Sequence, residues 1–106
     1  MMRIILICLL FEFILAQDKG QSLYQKGKYD EARAYYENIL QNRKNDPSAQ
    51  FDLGVTAYQQ KDYETSVRNL NAVLNAEDKS LASKAHYNIG NLFREQQKLE
   101  EGAAFY

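Results

Sequence analysis

The sequence predicts an all-α fold built from a repeated helical unit, and three observations support this. The chain of 106 residues has one proline and five glycines, too few for the turns of a β-sandwich or barrel, whereas Ala, Leu, Gln, Glu and Lys are abundant. A short segment begins at residues 26, 60 and 96 and so recurs at offsets of 34 and 36 residues. Apolar residues recur at helical spacing within the copies.

Charge and composition exclude several classes of function. The 13 Lys and Arg residues nearly balance the 14 Asp and Glu residues, giving a formal net charge of −1, so the broad positive surface of a general nucleic-acid binder is not expected. The lone Cys8 cannot form an internal disulfide, and no second cysteine accompanies the single His86 to build a structural zinc site. We therefore expect no nucleic acid, metal or cofactor.

The first element is expected to be a signal peptide over residues 1–16. Arg3 precedes a thirteen-residue apolar run that ends at Ala16 and is interrupted by Glu12. A signal-peptide core needs about 7 to 15 residues, whereas a membrane span needs roughly 20. Cleavage after Ala16 would remove Cys8 and deliver the chain to the periplasm or the cell exterior. The alternatives are an uncleaved N-terminus that tethers the chain to a membrane, and a buried N-terminal helix.

The remaining elements come from the repeats. One glycine precedes each copy of the recurring segment at the same distance, namely Gly20, Gly54 and Gly90. One large side chain follows each copy at an equivalent position, namely Tyr36, Leu70 and Tyr106. The predicted helices lie at about 18–26, 29–42, 47–60, 63–76, 80–96 and 99–106. Pro47 suits a first helical turn that Asp46 caps. Gly54 and Gly90 each cost a helix about 1 kcal/mol relative to alanine, which predicts close approach of a neighbouring helix as compensation.

This pattern resembles the tetratricopeptide repeat, a 34-residue unit of two antiparallel helices. The residues that carry the resemblance are Leu53, Gly54, Tyr58, Tyr63, Ser66, Leu70 and Val73 in one copy, and Tyr87, Ile89, Gly90, Phe93, Leu99 and Gly102 in the next. The resemblance covers residues 17–106 and implies a right-handed superhelical solenoid. Its repeats would span about 17–46, 47–80 and an incomplete 81–106. Repeat one departs from the pattern because Lys19 stands where the family usually has leucine.

No arrangement of residues predicts catalysis. His86 is the only histidine, and Glu100 and Glu101 belong to the repeated segment, where acids suit the start of a helix. The eight tyrosines are expected to serve mainly in packing, with Tyr29, Tyr36 and Tyr63 at repeat-signature positions. The prediction is therefore a protein that is not an enzyme.

The resemblance implies that the first helices of successive repeats line a concave groove. The candidate groove residues are Gln21, Tyr24, Asp52, Tyr58, Lys84, Tyr87, Asn88 and Asn91. Some members of the family clamp a terminal carboxylate with Lys, Asn and Arg side chains, but only Lys84 and Asn88 fit that pattern here. The groove is therefore expected to take a neutral polar or amphipathic peptide.

The predicted function is an exported scaffold that binds a protein or peptide partner and takes no small-molecule substrate. A narrower resemblance, to the exported tetratricopeptide proteins of the Bacteroides aerotolerance (Bat) group, rests on the Ala16-Gln17 junction and on residues 84–91 and 98–102. It implies an envelope complex with von Willebrand A-type partners. The alternatives are a structural solenoid that self-associates through an open C-terminal end, and the non-catalytic N-terminal part of a longer array.

Overall fold

Helices and turns account for the whole described structure. The computed structural model describes residues 19–105, with side chains as far as Gly102. Five helices lie in this range, namely α1 (19–25), α2 (Tyr29–Asn42), α3 (Pro47–Gln59), α4 (Tyr63–Asn71) and α5 (Lys79–Phe105). The described residues contain no strand, so the predicted all-α class is confirmed. The expected signal peptide, residues 1–16, lies outside the described residues.

The starts of α3 and α4 follow from capping chemistry in the sequence, whereas Lys28, which precedes α2, forms no side-chain cap. The Asp46 carboxylate accepts a hydrogen bond from the Ala49 backbone N–H at 3.1 Å, and Pro47 is the first residue of α3, so the predicted cap is confirmed. Asp62 caps α4 in the same way, accepting from the Thr65 N–H at 3.2 Å. Each satisfies a backbone donor that the first helical turn leaves without a partner.

Two equivalent turns fold the helices into hairpins. Gly27, between α1 and α2, has a φ of 75°, and Lys61, between α3 and α4, has a φ of 62°. Both residues adopt the left-handed conformation, which glycine enters freely and lysine enters at some cost. Across each turn two tyrosine rings meet, 5.4 Å apart for Tyr24 and Tyr29 and 5.9 Å apart for Tyr58 and its partner Tyr63.

The core consists of two clusters, one for each hairpin junction. The first joins α2 to α3 through Ala32, Tyr36 and Leu53. The second joins α4 to α5 through Leu70, Val73 and Ala85, with half-buried residues of α3 packed against it. Each helix pair therefore buries its apolar face against the next pair, as expected for a stack of repeats.

Close helix approach at Gly54 confirms the sequence prediction. A Cβ atom placed on Gly54 would lie 2.8 Å from Leu70 Cγ, closer than real side chains pack. The Ser66 hydroxyl also donates a 2.7 Å hydrogen bond to the Gly54 carbonyl. Gly20 repeats the arrangement, since its Cβ would lie 2.7 Å from the Tyr36 ring. The absence of a side chain at these positions lets α1 pack against α2 and α3 against α4.

Helix α4 is shorter than the predicted helix 63–76. It ends at Asn71, and residues 72–75 form turns. In these turns the N–H groups of Val73 and Leu74 donate three residues back, to the carbonyls of Leu70 and Asn71. The chain therefore winds more tightly, in 3₁₀ fashion, on its way to α5.

The predicted break between helices 80–96 and 99–106 is wrong, because α5 is continuous from Lys79 to Phe105. Gln97 occupies the position of Gly27 and Lys61 and, like its neighbours, is a good helix former. Lys98 replaces the capping Asp62, and it cannot accept a hydrogen bond. Nothing in the local sequence therefore terminates the helix.

The continuous helix leaves Gly90 without the neighbour that was predicted for it. A Cβ atom on Gly90 would meet nothing within 4 Å. The close approach predicted at Gly90 is therefore wrong. In the two hairpins a turn brings the second helix, α2 or α4, back against the first, whereas α5 continues straight. Among the side chains described, Leu92 is the last fully buried one on α5, and Phe93 and Leu99 are 56% and 58% exposed.

Candidate binding groove

An open groove runs over α3, with α1 and α2 on one side and α5 on the other. Its volume is about 950 Å³. We call it the α3 groove and define it by its lining residues: Gln21, Tyr24, Tyr35, Tyr36, Ile39, Asn42, Arg43, Asp46, Ser48, Ala49, Phe51, Asp52, Val55, Thr56, Tyr58, Gln59, Lys84 and Asn88. Helix α3 supplies the floor, because the helices on either side pack against it.

Six of the eight residues predicted from the sequence line the α3 groove together. They are Gln21, Tyr24, Asp52, Tyr58, Lys84 and Asn88. Tyr87 and Asn91 do not line it. Lys84 and Asn88 are four residues apart and share one face of α5, whereas Tyr87 lies on another face and is 71% exposed. Asn91, one turn beyond Asn88, is half-buried outside the lining.

The sequence reasoning missed one wall of the groove. It assigned groove residues only to the first helix of each repeat, but Tyr35 and Ile39 of α2, a second helix, also line it. Tyr35 is half-buried, and its ring meets that of Tyr36 edge-on, 5.6 Å away. The sequence does contain a signal for this wall, the adjacent pair Tyr35 and Tyr36. Two neighbouring residues of one helix cannot both face the core between helices, so one of the two rings is expected to lie outside it.

Aromatic side chains of the groove are held by hydrogen bonds and ring contacts. The Gln59 side-chain amide donates to the Tyr24 hydroxyl at 3.1 Å, which joins the end of α3 to α1. The contact of Tyr24 with Tyr29 fixes the same ring from the other side. A rim that is already ordered loses less conformational entropy when a ligand binds.

Asp52 is the unusual polar group of the groove. Burial raises the pKa of its carboxyl to about 6, the neighbouring charge of Asp46 adds to the effect, and Lys84 opposes it. Burial, with the Asp52 charge as a further cause, also raises the pKa of the Tyr36 hydroxyl. Within residues 19–102, no hydrogen bond and no ion pair engages the Asp52 carboxylate.

The hydrogen bonds that described residues form near Asp52 do not involve its carboxylate. Its backbone carbonyl accepts a bond from the Thr56 hydroxyl at 2.7 Å, one turn further along α3. One carboxylate oxygen of Asp46 is engaged in capping α3. Lys84 is exposed and forms no ion pair with another described residue. The groove thus contains a partly desolvated acid whose carboxylate has no hydrogen-bond or ion-pair partner among the described residues.

The charged pairs outside the groove have a structural role. Arg33 of α2 donates to the Asp62 carboxylate and to the Gln60 side chain, both at 2.9 Å, and to Glu37 at 2.6 Å. The bonds to Glu37 and Asp62 raise the pKa of Arg33, and hydrogen bonds from the Thr65 side chain, from Arg33 and from the Thr65 N–H lower the pKa of Asp62. They fasten α2 to the turn between α3 and α4, away from the groove.

The described part of the chain shows neither a group of metal ligands nor a membrane-spanning helix. Residues 19–102 contain no group of His, Cys, Asp or Glu side chains arranged to hold a metal ion. None of the helices in that part is long and apolar enough to span a membrane. His86 is exposed and does not line the groove.

Stacked helix hairpins with a groove along one side define a helical-repeat protein. The chain belongs to the tetratricopeptide repeat family, whose profile matches residues 18–74, more than half of its length. The matched range includes α2, α3 and α4 and stops before α5, the helix that departs from the predicted pattern. No curated protein and no solved structure matches the chain.

Proposed function

We propose that this chain is a non-catalytic binding module that holds a peptide segment of a partner protein in the α3 groove. The observation that carries the proposal is the groove itself, about 950 Å³ of open space walled by Tyr24, Tyr35, Phe51 and Tyr58. Tetratricopeptide repeats generally mediate protein–protein interactions. Aromatic side chains on an exposed concave surface supply large contact areas, which favours a protein ligand.

The shape of the groove favours a peptide over a small molecule. Small-molecule sites enclose most of their ligand and have volumes of about 300 to 1,000 Å³. The α3 groove is at the upper end of that range, yet it is open along one side and extends from Gln21 on α1 to Asn88 on α5. A segment of several residues fills such a space, and its backbone finds amide partners in the Gln and Asn side chains of the lining.

Two substitutions of asparagine by tryptophan test the proposal. Asn88→Trp places a large ring in the groove, whereas Asn71→Trp places the same ring on the exposed side of α4. An array of peptides with varied sequences is incubated with the full chain and with each variant. We expect a set of peptides to bind the wild type and Asn71→Trp equally, and to bind Asn88→Trp at least tenfold more weakly. Absence of any bound peptide, or equal binding to Asn88→Trp, would contradict groove recognition.

Export is part of the proposal, supported by the sequence of residues 1–16 alone. Cell fractionation followed by N-terminal sequencing tests it, with Gln17 as the first residue of the exported protein. Retention of Met1 in a cytosolic protein would contradict export. The narrower assignment to the Bat group, with its envelope complex, stays a prediction that no match supports.

A second candidate function is self-association, favoured by the exposed face of α5. Phe93 and Leu99 are more than half exposed, and Gly90 beside Phe93 leaves room for an approaching side chain. Sedimentation velocity of the full chain should then show a dimer at micromolar concentrations, and Phe93→Gln should shift it to monomer. His86→Gln, an exposed position on the same helix, is the matched control. A strictly monomeric wild type would rule this function out.

A further inference from the structure

The charge of the groove ligand follows from Asp52, a charged group that the groove partly desolvates. Asp52 lies on the floor, half-buried, and its carboxylate has no hydrogen bond or ion pair among residues 19–102. Asp46 lines the same groove and adds a second negative charge. A carboxylate that has lost water without gaining a protein partner is costly, and a ligand that supplies a cation removes that cost.

The basic groups of the groove do not favour an acidic ligand. Lys84 and Arg43 are both exposed and therefore keep their hydration, so an ion pair with either contributes little. An acidic ligand group that reached the floor would meet Asp52 and Asp46. Solvent and salt screen the repulsion from these partly buried carboxylates less than they screen the attraction of the exposed cations at the rim.

The apolar surface around Asp52 suits the stem of a long basic side chain. Phe51 is its neighbour on α3, Val55 is one turn away, and the rings of Tyr24 and Tyr35 form the wall opposite α5. Lysine and arginine side chains bury their methylene groups along such surfaces and keep the charged end near a polar partner. Aromatic faces add attraction for a cation.

We propose that the segment bound in the α3 groove contains a lysine or arginine whose charged end pairs with Asp52. This inference rests on the proposed function, and it adds a charge requirement that the sequence alone did not give. The sequence predicted a neutral polar or amphipathic peptide, and the placement of Asp52 changes that expectation.

Peptide pools that differ at one position test the inference. The probes are acetylated and amidated pools of neutral residues with Lys, Arg, norleucine or Glu fixed at the centre, so that no terminal amine competes. They are titrated against the full chain, Asp52→Asn and Glu64→Gln, an exposed acid of α4 outside the groove. We expect the Lys and Arg pools to bind the wild type on the order of tenfold more tightly than the norleucine pool. Asp52→Asn should abolish this preference, and Glu64→Gln should keep it.

The outcomes separate this inference from the proposed function. Absence of binding by every pool overturns peptide recognition and the inference with it. Binding of all pools with no preference for Lys or Arg, or a preference that persists in Asp52→Asn, overturns the inference alone. A preference for the Glu pool that disappears in Lys84→Gln also overturns it, since the ligand would then be acidic.

Discussion

Replacing Asp52 by asparagine should stabilise the unliganded protein at neutral pH. The pKa of this carboxyl is raised from 3.8 to about 6, chiefly by burial, so the folded protein holds the proton more tightly than the unfolded chain does. A pKa difference of about two corresponds to about 3 kcal/mol. Because Asp52 is only partly buried, solvent screening reduces this to about 1 to 2 kcal/mol. Asparagine has a similar shape and no charge, so that cost disappears.

The dependence on pH gives the sharper readout. Since the folded pKa is the higher one, the wild type should lose stability as the pH rises from about 4 to about 6 and then level off. Asp46 and Lys84 are the other groups whose charges act on Asp52, and both are present in both proteins.

Urea denaturation of the wild type and Asp52→Asn, followed by circular dichroism between pH 4 and pH 7, measures this difference. The two proteins should be equally stable near pH 4, and Asp52→Asn should be the more stable at pH 7. Glu64→Gln, on the exposed face of α4, serves as control and should change stability by no more than about 0.5 kcal/mol. A loss of stability at pH 7 in Asp52→Asn would refute the reasoning, because the carboxylate would then have a favourable partner.

Three further predictions concern the fold. Gly54→Ala should destabilise the protein by about 1 to 3 kcal/mol, since the added methyl group would lie 2.8 Å from Leu70. Gly90→Ala, where a Cβ atom meets no neighbour, should instead stabilise it by up to about 1 kcal/mol. Thermal unfolding of both variants should show these opposite signs, and equal effects would contradict the prediction. Lys61→Gly should raise stability by about 0.5 to 1 kcal/mol by relieving a φ of 62°, and a lower midpoint in urea would contradict this. Asp62→Ala should cost about 1 to 2 kcal/mol at pH 7 through loss of the α4 cap. The pKa of Asp62 is lowered, so this cost should shrink as the pH falls below about 4, and a cost that does not depend on pH would argue against it.

Local chemistry explains why four helices could be predicted from the sequence. The cap at Asp46, the proline after it and the apolar spacing along α2 act over a few residues and hold in the structure. The small residue at Gly54 predicted a helix contact without naming its partner. The structure supplies that partner, Leu70, at the position equivalent to Tyr36.

The continuity of α5 was missed because its second half aligns with the repeat, although its local chemistry does not terminate a helix. The segment 96–102 aligns with the earlier copies, but Gln97 and Lys98 provide neither a left-handed residue nor a capping side chain. A turn here would require a tertiary contact to overcome helix propensity. Leu99, which aligns with Tyr29 and Tyr63, lacks the ring pair that supports the earlier turns.

Part of the groove lining could be predicted from the sequence, because the spacing of the repeats shows which residues belong to the first helix of each hairpin. The contribution of α2 depends on how far successive hairpins rotate against each other, which no short segment of sequence encodes. The burial of Asp52 could not be predicted for the same reason, since Asp52 lies in the groove that the packed helices form together. A carboxylate on a polar helix face looks the same in the sequence whether it is hydrated or not.

The measurement that bears most directly on peptide binding in the α3 groove is an NMR titration of the full, isotope-labelled chain with a peptide selected from the array. Gln21 and Asn88 lie on opposite sides of the groove, and Val55 lies on its floor. The backbone amide signals of these three residues should shift together, while that of Asn71 on α4 stays unchanged. Shifts confined to the second half of α5, near Leu99, would contradict groove binding and place the interaction on the exposed helix instead.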